Sequence, residues 1–165
     1  GFQDFTAGMS LYVVMRPSGL TYGFKVLALG NGAGQQNIAL GRAGDTAGFQ
    51  VFNTNADGAY SWFNTATGLN VGEASLISVQ QDGGAAGGLS YAELTKNGMV
   101  LLGQNLFVPP VAVRSLNYIA KTYWNEGMFQ GDIAEIILYN RKLSASEHAA
   151  VKAYIASKYA LSVTP

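Results

Sequence analysis

The chain reads as an all-β sandwich closed by one C-terminal α-helix, and three observations say so. Short apolar runs recur at roughly 8–12-residue spacing with turn residues between them, the pattern of a two-sheet β domain. Among 165 residues there are 21 Gly, nine Tyr and eight Phe but only four Pro, a composition suited to short strands joined by tight turns. A capped helical pattern occurs once, at the end.

The elements follow in order. Residues 10–16 form a nearly continuous apolar run stopped by Pro17, the mark of a buried strand. Residues 24–30 repeat it, and Asn31-Gly32-Ala33-Gly34 turns the chain. Residues 37–42 and 48–53 are shorter strands around Ala43-Gly44-Asp45. Asp57-Gly58 is a hairpin signal before a strand at 59–64. Residues 74–81 alternate Leu76, Ser78 and Gln80 against Ile77, Val79 and Gln81. Residues 89–95 pair with 100–102 across Lys96-Asn97-Gly98. A loop over 105–115, stiffened by Pro109-Pro110, leads to strands at 116–120 and 129–139, the latter long and buried. Ser144 and Glu147 form a capping box for a helix over about 144–158. Ala150, Val151, Tyr154, Ile155 and Tyr159 share its apolar face.

Composition excludes several classes. Ten basic and ten acidic residues cancel without clustering, so there is no groove to neutralise phosphates, and nucleic acid is not an expected partner. Cys is absent, which removes disulfides, thiol nucleophiles and thiolate zinc sites. No apolar run approaches the roughly 18–20 residues of a membrane span, so membrane insertion is not expected. The start, Gly1-Phe2-Gln3-Asp4-Phe5, lacks signal-peptide architecture and reads as a mature or excised module of a longer protein. The whole of 1–165 is expected to be one domain.

The end of the chain carries a recognisable motif. Phe129, Gly131, Ile133-Ala134-Glu135-Ile136, Tyr139-Asn140-Arg141 and Leu143-Ser144, followed by Tyr154-Ile155 and Lys158-Tyr159, resemble the closing segment of the laminin-G/concanavalin A-like jelly rolls of bacterial surface and secreted proteins. Residues 4–17 are similar to that family's first large inner strand. Ser78 to Asp82, Leu94 to Gly98 and Leu116 to Ala120 resemble further pieces, so the likeness spans most of 4–161. It implies a jelly roll and a non-catalytic carbohydrate-binding module, extracellular or at the cell surface, with a polysaccharide or oligosaccharide as partner. Calcium is common in the family. An extra strand that family members carry ahead of this region is absent here. That expectation leaves an open sheet edge and the alternative of a structural or adhesive module, assembling with neighbouring domains or subunits by strand addition.

Two aromatic clusters suit sugars, whose apolar C–H faces stack on flat rings while hydroxyls seek polar partners. The segment 121–129 offers Tyr123, Trp124 and Asn125 together; Trp124 is either a ligand wall or a plug for the sandwich end. Alternation puts Tyr60 and Trp62 on one strand face, a stacking platform or part of the core. Asp57 and Arg42 are the polar candidates. Asn53 to Gly58 partly matches a calcium loop, but its first ligand is Asn and Asn64 stands where a bidentate Glu belongs, so a hairpin explains it better. Asp45 and Asp57 remain the weak metal candidates.

Catalysis lacks a constellation. Jelly-roll glucanases related to this family place carboxylates about 5–9 Å apart on one strand face. Here Asp132 and Glu135 are three apart, which in a regular strand points them to opposite faces; Glu135 is expected to pair with Arg141 or Lys25. His148, the only histidine, is expected to be solvated.

Overall fold

A computed structural model describes residues 3–55 and 57–164, so Gly1 and Phe2 of the expected N-terminal start lie outside the described residues. It contains β1 (Met9–Pro17), β2 (Lys25–Gly30), β3 (Ile38–Arg42), β4 (Gly48–Thr54), β5 (Tyr60–Gly68), β6 (Ser75–Gln81), β7 (Leu89–Lys96), β8 (Met99–Phe107), β9 (Leu116–Ile119), β10 (Gly131–Tyr139) and α1 (Ala145–Tyr159). One antiparallel sheet runs β10-β1-β6-β7-β8 and the other β5-β4-β3-β2-β9. The two stack as a jelly-roll sandwich of the expected class.

The core lies between the sheets. Leu11, Val13 and Met15 of β1, with Ile77, Val79 and Leu94, meet Val26, Leu40, Phe49, Val51 and Phe63 of the other sheet. The alternate residues of β1, Tyr12 and Val14, face outward and are covered by Leu143, just before α1, and by Val151, Ile155 and Tyr159 of α1. Burial on both faces explains why β1 reads as an unbroken apolar run.

Two strands run past the lengths expected. β5 extends to Gly68 and β8 to Phe107, shortening the loop expected over 105–115. Both are edge strands; the β5 extension is polar and ends in Gly, and in β8 the run Gly103-Gln104-Asn105 interrupts the apolar pattern before the buried Leu106. Conversely, β10 is an edge strand and only half-buried, not the fully buried strand its sequence suggests. The β7–β8 hairpin turns on Asn97 and Gly98, both at positive φ (50° and 84°), with Lys96 opposite Met99. That is the two-residue primed turn that Asn-Gly favours.

The capping box forms: Ser144 Oγ accepts from the Glu147 N–H, and the Glu147 carboxylate accepts from the Ser144 N–H at 2.9 Å. The buried helix face is narrower than expected. Ala150 is exposed, and Tyr154 leans to the rim, where its hydroxyl donates to Glu135 Oε1 at 3.1 Å.

His148 is not solvated. It is half-buried against Tyr12, whose hydroxyl lies 2.6 Å from Nδ1. Burial, helped by the nearby Lys152 charge, holds His148 below its ordinary 6.5. The unfolded chain therefore takes up this proton first on acidification. We predict a melting temperature that falls as pH drops from 6.5 towards the folded-state value, with His148→Gln abolishing that part of the slope. A separate loss follows at lower pH. The hydrogen bonds of Arg141 and Ser144 hold the Glu147 carboxyl down to about 2, so its contribution disappears as pH falls from 4.5 towards that value. Thermal unfolding followed by circular dichroism across pH 2–8 resolves the two windows.

Candidate functional site

The site is built on the outer face of the β5-β4-β3-β2-β9 sheet. Along β4, Phe49 and Val51 point into the core, so Gln50 and Phe52 point out. On β5, Phe63 points in and leaves Tyr60 and Trp62 outward, 55% and 43% exposed. Trp62 stands opposite Phe52. Moving inward across the sheet, Phe52 pairs with Ala39, Ala39 with Ala28, and Gln50 with Gly41. These small residues leave a trough, and the segment between β9 and β10 folds over it.

Four rings form a continuous row. Trp62 and Tyr60 have centroids 4.9 Å apart, Tyr60 stacks on Phe52 at 5.6 Å, and Phe52 meets Trp124 edge-on at 5.4 Å. Aromatic pairs at such separations fix one another's orientation. The row continues through Tyr123, 5.8 Å from Trp124, to Tyr118 at 5.1 Å.

An ion pair closes the inner end. Lys25 is 2% exposed, and its Nζ donates to Gly23 O at 2.6 Å and to Glu126 Oε2 at 3.0 Å. Thr122 Oγ1 donates to the same Glu126 oxygen at 3.1 Å. Gly41 makes this possible, since a Cβ there would stand 2.7 Å from Lys25 Cδ. A buried ammonium needs a partner of this kind, and the pair ties the loop to β2. Together Lys25, Gln50, Phe52, Tyr60, Trp62, Trp124 and Glu126 enclose a cleft of about 230 Å³.

Of the residues singled out from sequence, Tyr60, Trp62 and Trp124 meet in this cleft. The others do not. Tyr123 turns its hydroxyl under the loop, donating to Ala28 O at 3.1 Å and to Leu116 O, and burial pushes its phenol up to about 12. It supports Trp124 from behind. Asn125 is exposed at the loop tip, outside the cleft lining. Asp57 is exposed in the β4–β5 turn. Arg42 is buried, and its guanidinium donates to Leu20 O, Asp45 O and Thr46 O at 2.5–2.7 Å. It holds a turn together and does not face the cleft.

Sequence reasoning missed Gln50, Phe52, Lys25 and Glu126 as a group. A signal existed for Lys25, a lone cation inside the apolar run Phe24-Lys25-Val26-Leu27, which demands a buried counter-charge. Nothing local marks Phe52 as outward.

The calcium-like segment is explained by the hairpin. Asn53 points inward and donates to Gln81 Oε1 and Phe107 O, both at 3.0 Å. Asn55 Oδ1 accepts from the Asp57 N–H at 3.0 Å, an Asx turn. Ala56 of this segment lies outside the described residues. Asp45 is 84% exposed beside Arg42. Among the described residues, no three His, Cys, Asp or Glu stand close enough to share a metal ion.

The acids of β10 need a correction. A bulge leaves Ala134 unpaired, so Asp132 lies opposite Arg16 and Glu135 opposite Val14. Arg16 and Val14 share one face of β1, so Asp132 and Glu135 point to the same face. Each is engaged: Asp132 with Arg16 at 2.7 Å, and Glu135 with Lys158 at 3.3 Å, not with Arg141 or Lys25.

No protein-family model matches the chain, and no curated protein does. Solved structures do resemble it. The carbohydrate-binding module 40 of the Ruminococcus gnavus IT-sialidase, bound to α2,3-sialyllactose, has a TM-score of 0.68 at 15% identity, over 88% of this chain and 82% of that one. Domain 4 of an extracellular GH43 arabinanase from Geobacillus stearothermophilus, in complex with arabinotriose, has a TM-score of 0.61 at 17% identity, over 88% and 66%. A heptameric SAP-like pentraxin from Limulus polyphemus reaches 0.60 at 8% identity, over 88% and 70%. At these identities the likeness is one of fold. No helix among the described residues is long and apolar enough to cross a membrane.

Proposed function

We propose that the chain is a non-catalytic carbohydrate-binding module of a bacterial extracellular or surface protein. The observation that carries this reading is the row of Trp62, Tyr60, Phe52 and Trp124, ended by the Lys25–Glu126 pair. Small-ligand sites combine apolar and aromatic walls with a few fixed polar groups, and this cleft has that composition. Sugar rings lie against the aromatic faces. Their hydroxyls donate to Glu126 and accept from Gln50 or the Lys25 ammonium.

The charge of the cleft selects among sugars. Its one cation is already matched by Glu126, and no arginine lines it. A sialic or uronic acid would set its carboxylate beside Glu126 with no free cation to receive it. The preferred partner is therefore a neutral oligosaccharide or polysaccharide. Shallow sites of this kind bind weakly alone and gain from repetition in a larger assembly.

The test is a thermal-shift and calorimetric panel of arabinotriose, cellotriose, xylotriose, 3′-sialyllactose and oligogalacturonide, each with calcium and with EDTA. We expect stabilisation by at least one neutral member, since a ligand selective for the folded state raises its melting temperature. Loss of that shift in EDTA would make calcium part of the site. Stabilisation confined to the acidic sugars would overturn the charge argument, and none anywhere would overturn the module.

One feature favours a second reading, a structural or adhesive module. β9 is an edge strand with Leu116 and Ile119 exposed, 42% and 61%, a template for strand addition. Concentration-dependent oligomers indifferent to sugar would decide for it.

A further inference from the structure

We propose a second saccharide-binding site on the opposite sheet, in the trough between the outer face of β6–β7–β8 and the first turns of α1. The trough has a volume of about 470 Å³, and Gln80, Tyr91, Glu93, Lys142 and His148 line it.

Its platform is Tyr91, 46% exposed. The ring lies diagonally over Gly103 of β8, where an added Cβ would stand 2.0 Å from the hydroxyl and 2.6 Å from Cζ. The hydroxyl end of the ring rests over the glycine, where any side chain would collide with it. Two residues along β7, Glu93 points to the same side, opposite Gln80 and Gly103. The ion pairs of the described residues leave its carboxylate without a cation.

Gln80 and His148, which line the same trough, are tied together by a buried set of hydrogen bonds. Ser10 Oγ donates to Gln80 Oε1 at 2.9 Å, and Gln80 Nε2 donates to the Tyr12 hydroxyl at 3.1 Å. The Tyr12 hydroxyl in turn lies 2.6 Å from His148 Nδ1. Where the Tyr12 hydroxyl donates to Nδ1, the neutral ring carries its proton on Nε2. At the rim, Lys142 pairs with Asp82.

An exposed aromatic ring, an unpaired carboxylate and the polar groups of Gln80 and His148 together fit a sugar ring with adjacent hydroxyls. They do not fit an anion: the helix N-terminus is already satisfied by its capping box, and Glu93 would repel a negative ligand. The ligand is a neutral pyranose or furanose unit. With the aromatic cleft on the other sheet, the domain is then able to hold two chains, or two turns of one chain.

The experiment is amide NMR on the isotope-labelled chain, titrated with arabinotriose, cellotriose and maltotriose. Saturable shifts are expected around Tyr91, Glu93 and Gly103 with at least one of them. The double variant Tyr91→Ala/Glu93→Gln should weaken that response by about tenfold or more and leave shifts around Trp62 and Trp124 in place. The reciprocal variant Trp62→Ala/Trp124→Ala should keep the response at Tyr91. Shifts confined to the aromatic cleft overturn the second site and leave the first standing. Shifts only at Tyr91 do the reverse, and silence at both removes both. A Tyr91 response that survives Tyr91→Ala/Glu93→Gln also overturns this assignment.

Discussion

Replacing Trp124 with Ala is expected to weaken binding of a neutral oligosaccharide by at least about tenfold, with a loss near 2 kcal/mol, the range of a central aromatic anchor. The fold should survive. Trp124 touches Phe52 and Tyr123 on the sheet exterior and belongs to neither buried core cluster. A shift in melting temperature of no more than about 2–4 °C per kcal/mol lost is anticipated for a chain of this size. Calorimetry on the variant beside Trp62→Ala separates a ligand wall from a structural plug. Unchanged affinity with a large fall in stability would mean that Trp124 serves only as a plug.

The second large effect belongs to Lys25→Met. Breaking a fully buried pair costs roughly 3–5 kcal/mol, and we expect about 2–3 here because the Glu126 side chain keeps 22% exposure and water takes up part of its charge. The melting temperature should fall by about 5–10 °C. Sugar affinity should fall with it, since the loop bearing Trp124 loses its tie to β2. Adding Glu126→Gln removes the stranded charge and should restore most of the stability but not the binding. A double-mutant cycle reads this coupling directly. Additive losses would show that the pair does not act as a unit.

Most of the fold was legible because its devices are local. The Asn97-Gly98 turn, the Ser144–Glu147 capping box and the double-sided apolar run of β1 each announce themselves within a few residues. Where reading failed, the cause was non-local or polar. The end of β5 is a polar edge extension with no apolar face to mark it, and the end of β8 offers a single buried apolar residue, Leu106, after Gly103-Gln104-Asn105. The bulge at Ala134 puts Asp132 and Glu135 on one face, and no letter in the strand announces it. At the site, Trp124 and the Tyr60–Trp62 pair were visible as aromatic clusters. Their meeting was not, because it depends on Ala28, Ala39 and Gly41 opening a trough on strands that the aromatic residues do not occupy. Arg42 looked like a free polar contact for the same reason: its three carbonyl partners come from a turn and from Leu20, and their convergence is tertiary.

The position of β1 also sets how this chain reaches its native state. It is hydrogen-bonded on one side to β6 and on the other to β10, with Ser10 opposite Gln80 and Tyr139. This interior strand of one sheet is thus completed by partners made long after it, one of them more than a hundred residues later. Loop-closure entropy must be met before such pairings are rewarded, so folding is expected to be slow by the standards of helical domains of this size. On the ribosome β1 waits with an unsatisfied edge and an apolar strip until β10 emerges. Until then the edge of β1 that β10 covers is open to pairing with other strands.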